Sequence, residues 1–185
     1  MRKSVYAILV TGLVLSSLSS GAAPTSAAEV GAASGTSCKS STGSLSFSPT
    51  LPKLGSSAKV FAKLSMSGVV SSCSGGGVGS GQLKFTSGTS KSGMNCATLA
   101  AYSSAAMSGT EVISWDAGGT STIALKLLDV KDSPTMERLQ GSVTGGLFKG
   151  LKQSGLIQFS LPSNGCTKVG FSKASYRAIN PLTIK

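Results

Sequence analysis

Apolar residues fall at every second position in several short stretches of this chain, and clusters of glycine, serine, proline and asparagine separate those stretches. Leu45 and Phe47 alternate with Ser44, Ser46 and Ser48 before Pro49 and Pro52 end the run. Val60, Ala62, Leu64 and Met66 alternate with Lys59, Lys63 and Ser65, with Phe61 interrupting the polar side. Leu83 and Phe85 alternate with Gln82, Lys84 and Thr86. A period of two puts the apolar set on one face of an extended strand and leaves lysines and hydroxyls in water. Further strand candidates are residues 111–115, 122–128, 142–148, 156–161 and 168–173, with a last one at 176–179. Glycine-rich connections at 74–81 and 117–120 suit tight turns. The predicted class is therefore all-β, an antiparallel β-sandwich or barrel-like domain with at most one or two short helices. The helical candidates are residues 98–107, rich in alanine, and Ser133-Pro134-Thr135-Met136-Glu137, which has a cap residue before proline.

The N-terminus is of a different kind. Arg2 and Lys3 precede an apolar run over residues 5–18, and a small-residue stretch follows over 19–28. This is the layout of a cleavable signal peptide, with Ser26 and Ala28 suiting the −3 and −1 positions of a cut after Ala28. The run falls short of the roughly 20 residues that span a bilayer. Residues 1–28 are thus expected to be a signal peptide, 29–37 a disordered lead-in of small residues, and 38–185 a single β domain large enough to bury a core. The expected location is secreted or extracellular, with cell-wall association as a further address.

Cys38, Cys73, Cys96 and Cys166 form an even set, which in an exported chain reads as two disulfides with three connectivities open in principle. No C-x-x-C pair and no histidine is present to build a zinc site. Cys38 and Cys73 flank the first two strand patterns, whose antiparallel pairing returns the chain towards its start. That predicts Cys38 with Cys73, and Cys96 with Cys166 between later loop-like stretches.

Without histidine, a Ser–His–Asp or Cys–His set has no base. Ser56-Ser57-Ala58-Lys59 is the remaining nucleophile candidate, but it opens an alternating strand, not the helix that would bring Ser56 to Lys59. Glu111, Asp116, Asp129, Asp132 and Glu137 are read as solvated or salt-bridged surface acids, neither a glycosidase pair nor a calcium loop. Trp115, the one tryptophan, is read as core. Leu161-Pro162-Ser163-Asn164-Gly165 lacks the threonine and apolar tail of a sortase signal, and 145–150 lacks the ending of a phosphate loop. No catalytic residue, cofactor or metal site is assigned.

What remains is charge. The formal net charge is +11, and +9 once Arg2 and Lys3 are removed with all six acids kept. The remaining cations are scattered without runs, unlike those of nucleic-acid-binding chains. Such an excess favours anionic surfaces. Lys59, Lys63, Lys84, Lys149 and Lys152 are the candidates for contact with an anionic cell-envelope polymer or lipid head group.

Cys38 with Gly43-x-Leu45-x-Phe47-x-Pro49-x-Leu51, then Cys73, Cys96 and Trp115, then Gly141-x-Val143-x-x-Gly146-x-Phe148-x-Gly150 and Cys166, resembles the small secreted four-cysteine proteins of actinobacteria. The resemblance implies a β-sandwich-like fold and an envelope or extracellular address, and transfers no functional residue. The leading expectation is a non-enzymatic binding module with a basic surface. A secreted hydrolase and a purely structural surface protein are the alternatives. A paired set of acids in a cleft favours the hydrolase, and a contiguous cationic patch favours binding.

Overall fold

The computed structural model describes residues 34–100, 107–130, 133–160, 166–167 and 170–185. The signal segment 1–28, most of the lead-in, Asp132 and residues 161–165 lie outside the described residues. The elements in chain order are β1 (Thr36–Leu51), β2 (Lys63–Ser74), β3 (Gly81–Thr89), α1 (Cys96–Ala100), β4 (Met107–Trp115), β5 (Thr120–Val130), β6 (Ser133–Gly146), β7 (Lys152–Ser160), β8 (Phe171–Ala178) and β9 (Leu182–Ile184).

Each strand from β1 to β8 pairs antiparallel with the next, and β8 pairs back onto β1, so eight strands close into an up-and-down barrel. Of the two all-β expectations, the barrel is the one realised. β9 continues the line of β8 after a break at Ile179-Asn180-Pro181 and fills the remaining gap between β1 and β7. Proline has no N–H for a ladder. At the break the Ile179 N–H donates to the Leu156 carbonyl (2.8 Å) and the Leu156 N–H to Asn180 Oδ1 (2.7 Å), so the β7 edge stays satisfied.

Several local expectations give way to this ladder. Residues 133–137 form strand and not a helical turn, because Asp129 faces Glu137 and Met136 faces Gln158, and two flanking ladders outweigh a local proline cap. Thr36 and Ser37 belong to β1, not to the lead-in, since they pair with Ile184 and Thr183. Pro49 does not end the first strand, which runs on to Leu51. The candidates at 168–173 and 176–179 are in the main one strand, β8. Of the alanine-rich helical candidate, residues 98–100 belong to α1, 101–106 lie outside the described residues, and Met107 begins β4.

Because strands alternate in direction, the connections divide between two ends. At the turn end lie the β2–β3, β4–β5 and β6–β7 turns with both chain termini of the barrel. At the loop end lie the β1–β2 connection, the β3–β4 connection carrying α1, and the β7–β8 connection. Each disulfide braces one end. Cys38 and Cys73 face each other directly across β1 and β2, and Cys96 joins Cys166 between the β3–β4 and β7–β8 connections, as predicted.

Eight strands leave an interior that side chains fill. Leu45, Phe47, Leu64, Met66, Leu83, Phe85, Ile113, Ile123, Leu125, Leu139 and Ile157 are all buried there. Trp115 plugs the turn end edge-to-face against Phe148 (centroids 5.6 Å, 89°), with its Nε1–H donating to Ser121 Oγ at 2.9 Å. Tyr176 requires a special accommodation. Its ring lies over Gly43 and Gly68, which face each other across β1 and β2, and a Cβ built on Gly68 would stand 2.4 Å from the Tyr176 hydroxyl and 2.3 Å from the Thr42 carbonyl. Gly68→Ala is therefore expected to destabilise the barrel by about 2 kcal/mol, measured by denaturant titration. A change below a few tenths would show that the ring has other room.

Candidate functional site

The β4 sequence Glu111-Val112-Ile113-Ser114-Trp115 sends its odd positions inward, so Glu111 shares the core face with Ile113 and Trp115 and is 0 % exposed. This corrects its reading as a surface acid. Gln153 of β7 donates from Nε2 to Glu111 Oε1 at 2.9 Å. Ser41 of β1 and Tyr176 of β8 are buried beside them, and four atoms of the group, Ser41 Oγ, Glu111 Oε2, Gln153 Oε1 and Tyr176 Oη, lack a partner of good geometry. Burial raises the Glu111 carboxyl to about 7 despite the Gln153 bond. Burial also raises the Tyr176 phenol to about 12; the Ser41 hydroxyl opposes that rise and the Glu111 charge adds to it.

Asp129 and Glu137 turn inward in the same way, on the inner face of the β5–β6 ladder near the loop end. Burial first, then the charge and hydrogen bond of Asp129, raise the Glu137 carboxyl to about 8. Glu137 borders a cavity of about 20 Å³ lined by Phe47, Leu64, Met94, Met107, Leu127 and Phe159. That is the space of one water. Two carboxyls hydrogen-bonded to each other leave no gap for the water or sugar that a glycosidase pair must hold some 5 Å or more apart. Ser56 and Lys59 do not form a dyad either. They stand in the β1–β2 connection, not at a strand opening, and Ser56 Oγ accepts from the Ala58 N–H.

Of the described acids only Asp116 is exposed, and it is engaged in holding a turn. It accepts from the Gly79 N–H (3.1 Å), the Ser80 hydroxyl (3.1 Å) and the Ala117 N–H (2.9 Å), and these bonds, Gly79 first, hold its carboxyl below the usual range. Every described lysine and arginine, by contrast, is exposed. The outer face is otherwise a lattice of small hydroxyls. One row runs Ser46, Ser65, Thr86, Thr110, with Lys173 beside Ser46. Serine, threonine and lysine outside with apolar residues inside is the reverse of a membrane-spanning barrel. No described helix is long and apolar enough to cross a membrane.

The five candidate lysines do not form one patch. Lys59, Lys63 and Lys84 belong to the β2–β3 side, while Lys149 and Lys152 lie at the turn end by β6 and β7, on the opposite side of the strand order. Lys152 instead joins cations that sequence reading did not single out. Lys126, Gln140, Ser154 and Thr183 form one cross-strand row, flanked by Ser142 and Lys152 on one side and Arg138 on the other. Short serines between long cations leave two surface concavities of about 430 and 500 Å³ that share Gln140 and Ser154. The signal for this groove was the alternation itself, since Lys126 lies between the inward Leu125 and Leu127 and Arg138 precedes the inward Leu139.

Fold and charge together define a disulfide-braced, eight-stranded barrel with a cationic exterior. No family model, no curated protein and no solved structure matches the chain.

Proposed function

We propose that the protein is a non-enzymatic binding module of the cell exterior, and that its cationic surface engages an anionic partner of the envelope. One observation carries this reading: among the described residues the acids are turned into the barrel or tied into a turn, while every cation is exposed. Sequestering three carboxyls indoors leaves Asp116 as the one exposed acid among the described residues against many exposed cations, an excess of positive field that raises the local concentration of an anionic partner. Two disulfides suit an oxidising, extracellular compartment. The one-water cavity and the mutually bonded acid pair offer no cleft for a hydrolase substrate.

Surface charges are screened over about 8 Å at physiological ionic strength, so only clustered cations act there. The exported protein is expected to bind an anionic polymer or anionic vesicles at physiological salt and to lose at least tenfold in affinity at about 0.5 M salt. Absence of any such binding at physiological salt would refute the reading and leave the lysines as solubility devices.

A further inference from the structure

Much of the described exterior is hydroxyl and lysine, and of its exposed large apolar side chains Val69 stands on β2 and Ile179 after β8, while the other two stand together on one connection. Among the described residues the two most exposed large apolar side chains are Phe61, 61 % exposed, and Leu54, 50 % exposed, and both stand on the β1–β2 connection at the loop end. Phe61 sits in Lys59-Val60-Phe61-Ala62-Lys63, where Val60 and Ala62 turn inward, so Lys59, Phe61 and Lys63 share the outer side. Lys53 adjoins Leu54, and Lys91 follows Ser90, which bonds Ala62.

This presentation is built into the fold. Val60 and Met94 exchange backbone hydrogen bonds (2.9 and 2.7 Å), the Ser90 N–H donates to the Ala62 carbonyl (2.9 Å), and the Ala62 N–H donates to Ser90 Oγ (3.1 Å). Asn95 Nδ2 donates to the Ser56 and Ala58 carbonyls (3.1 and 3.2 Å), and the Cys96 N–H to the Pro52 carbonyl (2.9 Å). The Cys96–Cys166 disulfide lies directly behind. A connection pinned at so many points has no means of folding Phe61 away from water. The acids described at this end, Asp129 and Glu137, face inward and do not oppose an approaching anion.

We infer that the β1–β2 connection docks on an anionic lipid bilayer, with Phe61 and Leu54 entering the headgroup boundary and Lys53, Lys59, Lys63 and the neighbouring Lys91 meeting the anionic head groups. The chemistry that separates a bilayer from a soluble polyanion is the pair of apolar anchors, since a polyanion offers nothing to bury them. Apolar insertion joined to basic attraction is how peripheral proteins hold anionic membranes. The cavity of about 20 Å³ has no room for an acyl chain, which places the lipid contact on the outer surface. The inference rests on the anionic-partner reading and names the partner.

The test uses the exported protein, its N-terminus established by mass, with phosphatidylglycerol-containing and pure phosphatidylcholine vesicles, and a sulfated-polymer matrix beside them. Binding to anionic vesicles alone is expected. Leu54→Ser with Phe61→Ser should weaken it at least tenfold and leave retention on the polymer unchanged. Each of Lys59→Glu and Lys63→Glu should weaken vesicle binding roughly fivefold or more. Phe61→Trp supplies a second readout, because Trp115 is buried, and its emission should shift to the blue on anionic vesicles. Vesicle binding that ignores the serine pair, or that is lost instead on reversing Lys126, Arg138 and Lys152, would overturn end-on docking while the anionic reading stands. Failure to bind either vesicles or polymer at physiological salt would overturn both.

Discussion

Replacing Cys96 and Cys166 together by alanine is expected to lower stability by about 4 kcal/mol, since the bridge closes an interval of 70 residues in the unfolded chain. For a domain of this size that is roughly a 12 °C fall in Tm. The loss should be felt at the loop end. The bridge joins the β3–β4 connection to the β7–β8 connection, and α1 with its hydrogen bond to Pro52 hangs from it. Hydrogen exchange should accelerate around Met94–Thr98 before the turn end responds, because the Cys38–Cys73 bridge and the Trp115–Phe148 plug brace that end independently. A double variant that loses less than 1 kcal/mol would mean that the loop end is held by its hydrogen bonds alone.

Glu111→Gln should act in the opposite sense and only away from acid. The Glu111 carboxyl is raised from 4.5 to about 7 by burial. Below pH 4.5 both the folded and the unfolded chain hold the proton, and the group contributes nothing. Between 4.5 and 7 the unfolded chain releases the proton while the folded one keeps it, so stability falls as pH rises. Above 7 both are ionised and the full penalty, about 3 kcal/mol, is in place. Glu137, raised to about 8, extends the decline by a further step. The parent should therefore be most stable in mild acid. Glutamine supplies an N–H where the protonated acid has its O–H, and it cannot ionise. The variant should match the parent at pH 4 and exceed it by roughly 10 °C in Tm at pH 8, with a shallower profile between. A parent whose stability climbs from pH 4.5 to 7, or a variant that keeps the parent's slope, would refute the assignment.

How much of this was legible beforehand depends on the range of the forces involved. Alternation over 44–48 and 82–86 was enough for strands, since a period of two reflects a local choice between core and water, while over 60–66 only 63–66 are strand and Val60 makes a single bridge to Met94 in the connection before it. The same rule, carried through Glu111-Val112-Ile113-Ser114-Trp115, places Glu111 with two core residues; reading acids by their usual habitat hid that. Ser133-Pro134 misled in the other direction, because a proline after a cap residue is a local helix signal and β5 and β7 supply ladders on both sides of it. The lysines show the limit most clearly. Alternation assigned Lys63 and Lys84 to the outer face correctly, but proximity around a barrel follows strand order, and strand order is not a local property.

The sequence by itself determined the all-β class, the four-cysteine pairing, the core placement of Trp115 and the excess of positive charge. The class, the placement of Trp115 and the charge follow from composition and local alternation, and the pairing, across 35 and 70 residues, from the order of the strand patterns between the cysteines. Closure into a barrel was decided by tertiary structure, when β8 returned to β1 and β9 filled the gap left by Pro181. So were the meeting of Ser41, Glu111, Gln153 and Tyr176 from four separate strands, the groove between Lys126, Arg138 and Lys152, and the fixed outward stance of Phe61. These depend on which strands lie side by side around a closed sheet. That is settled by long-range hydrogen bonding and burial, to which a single stretch of residues contributes only its half of each contact.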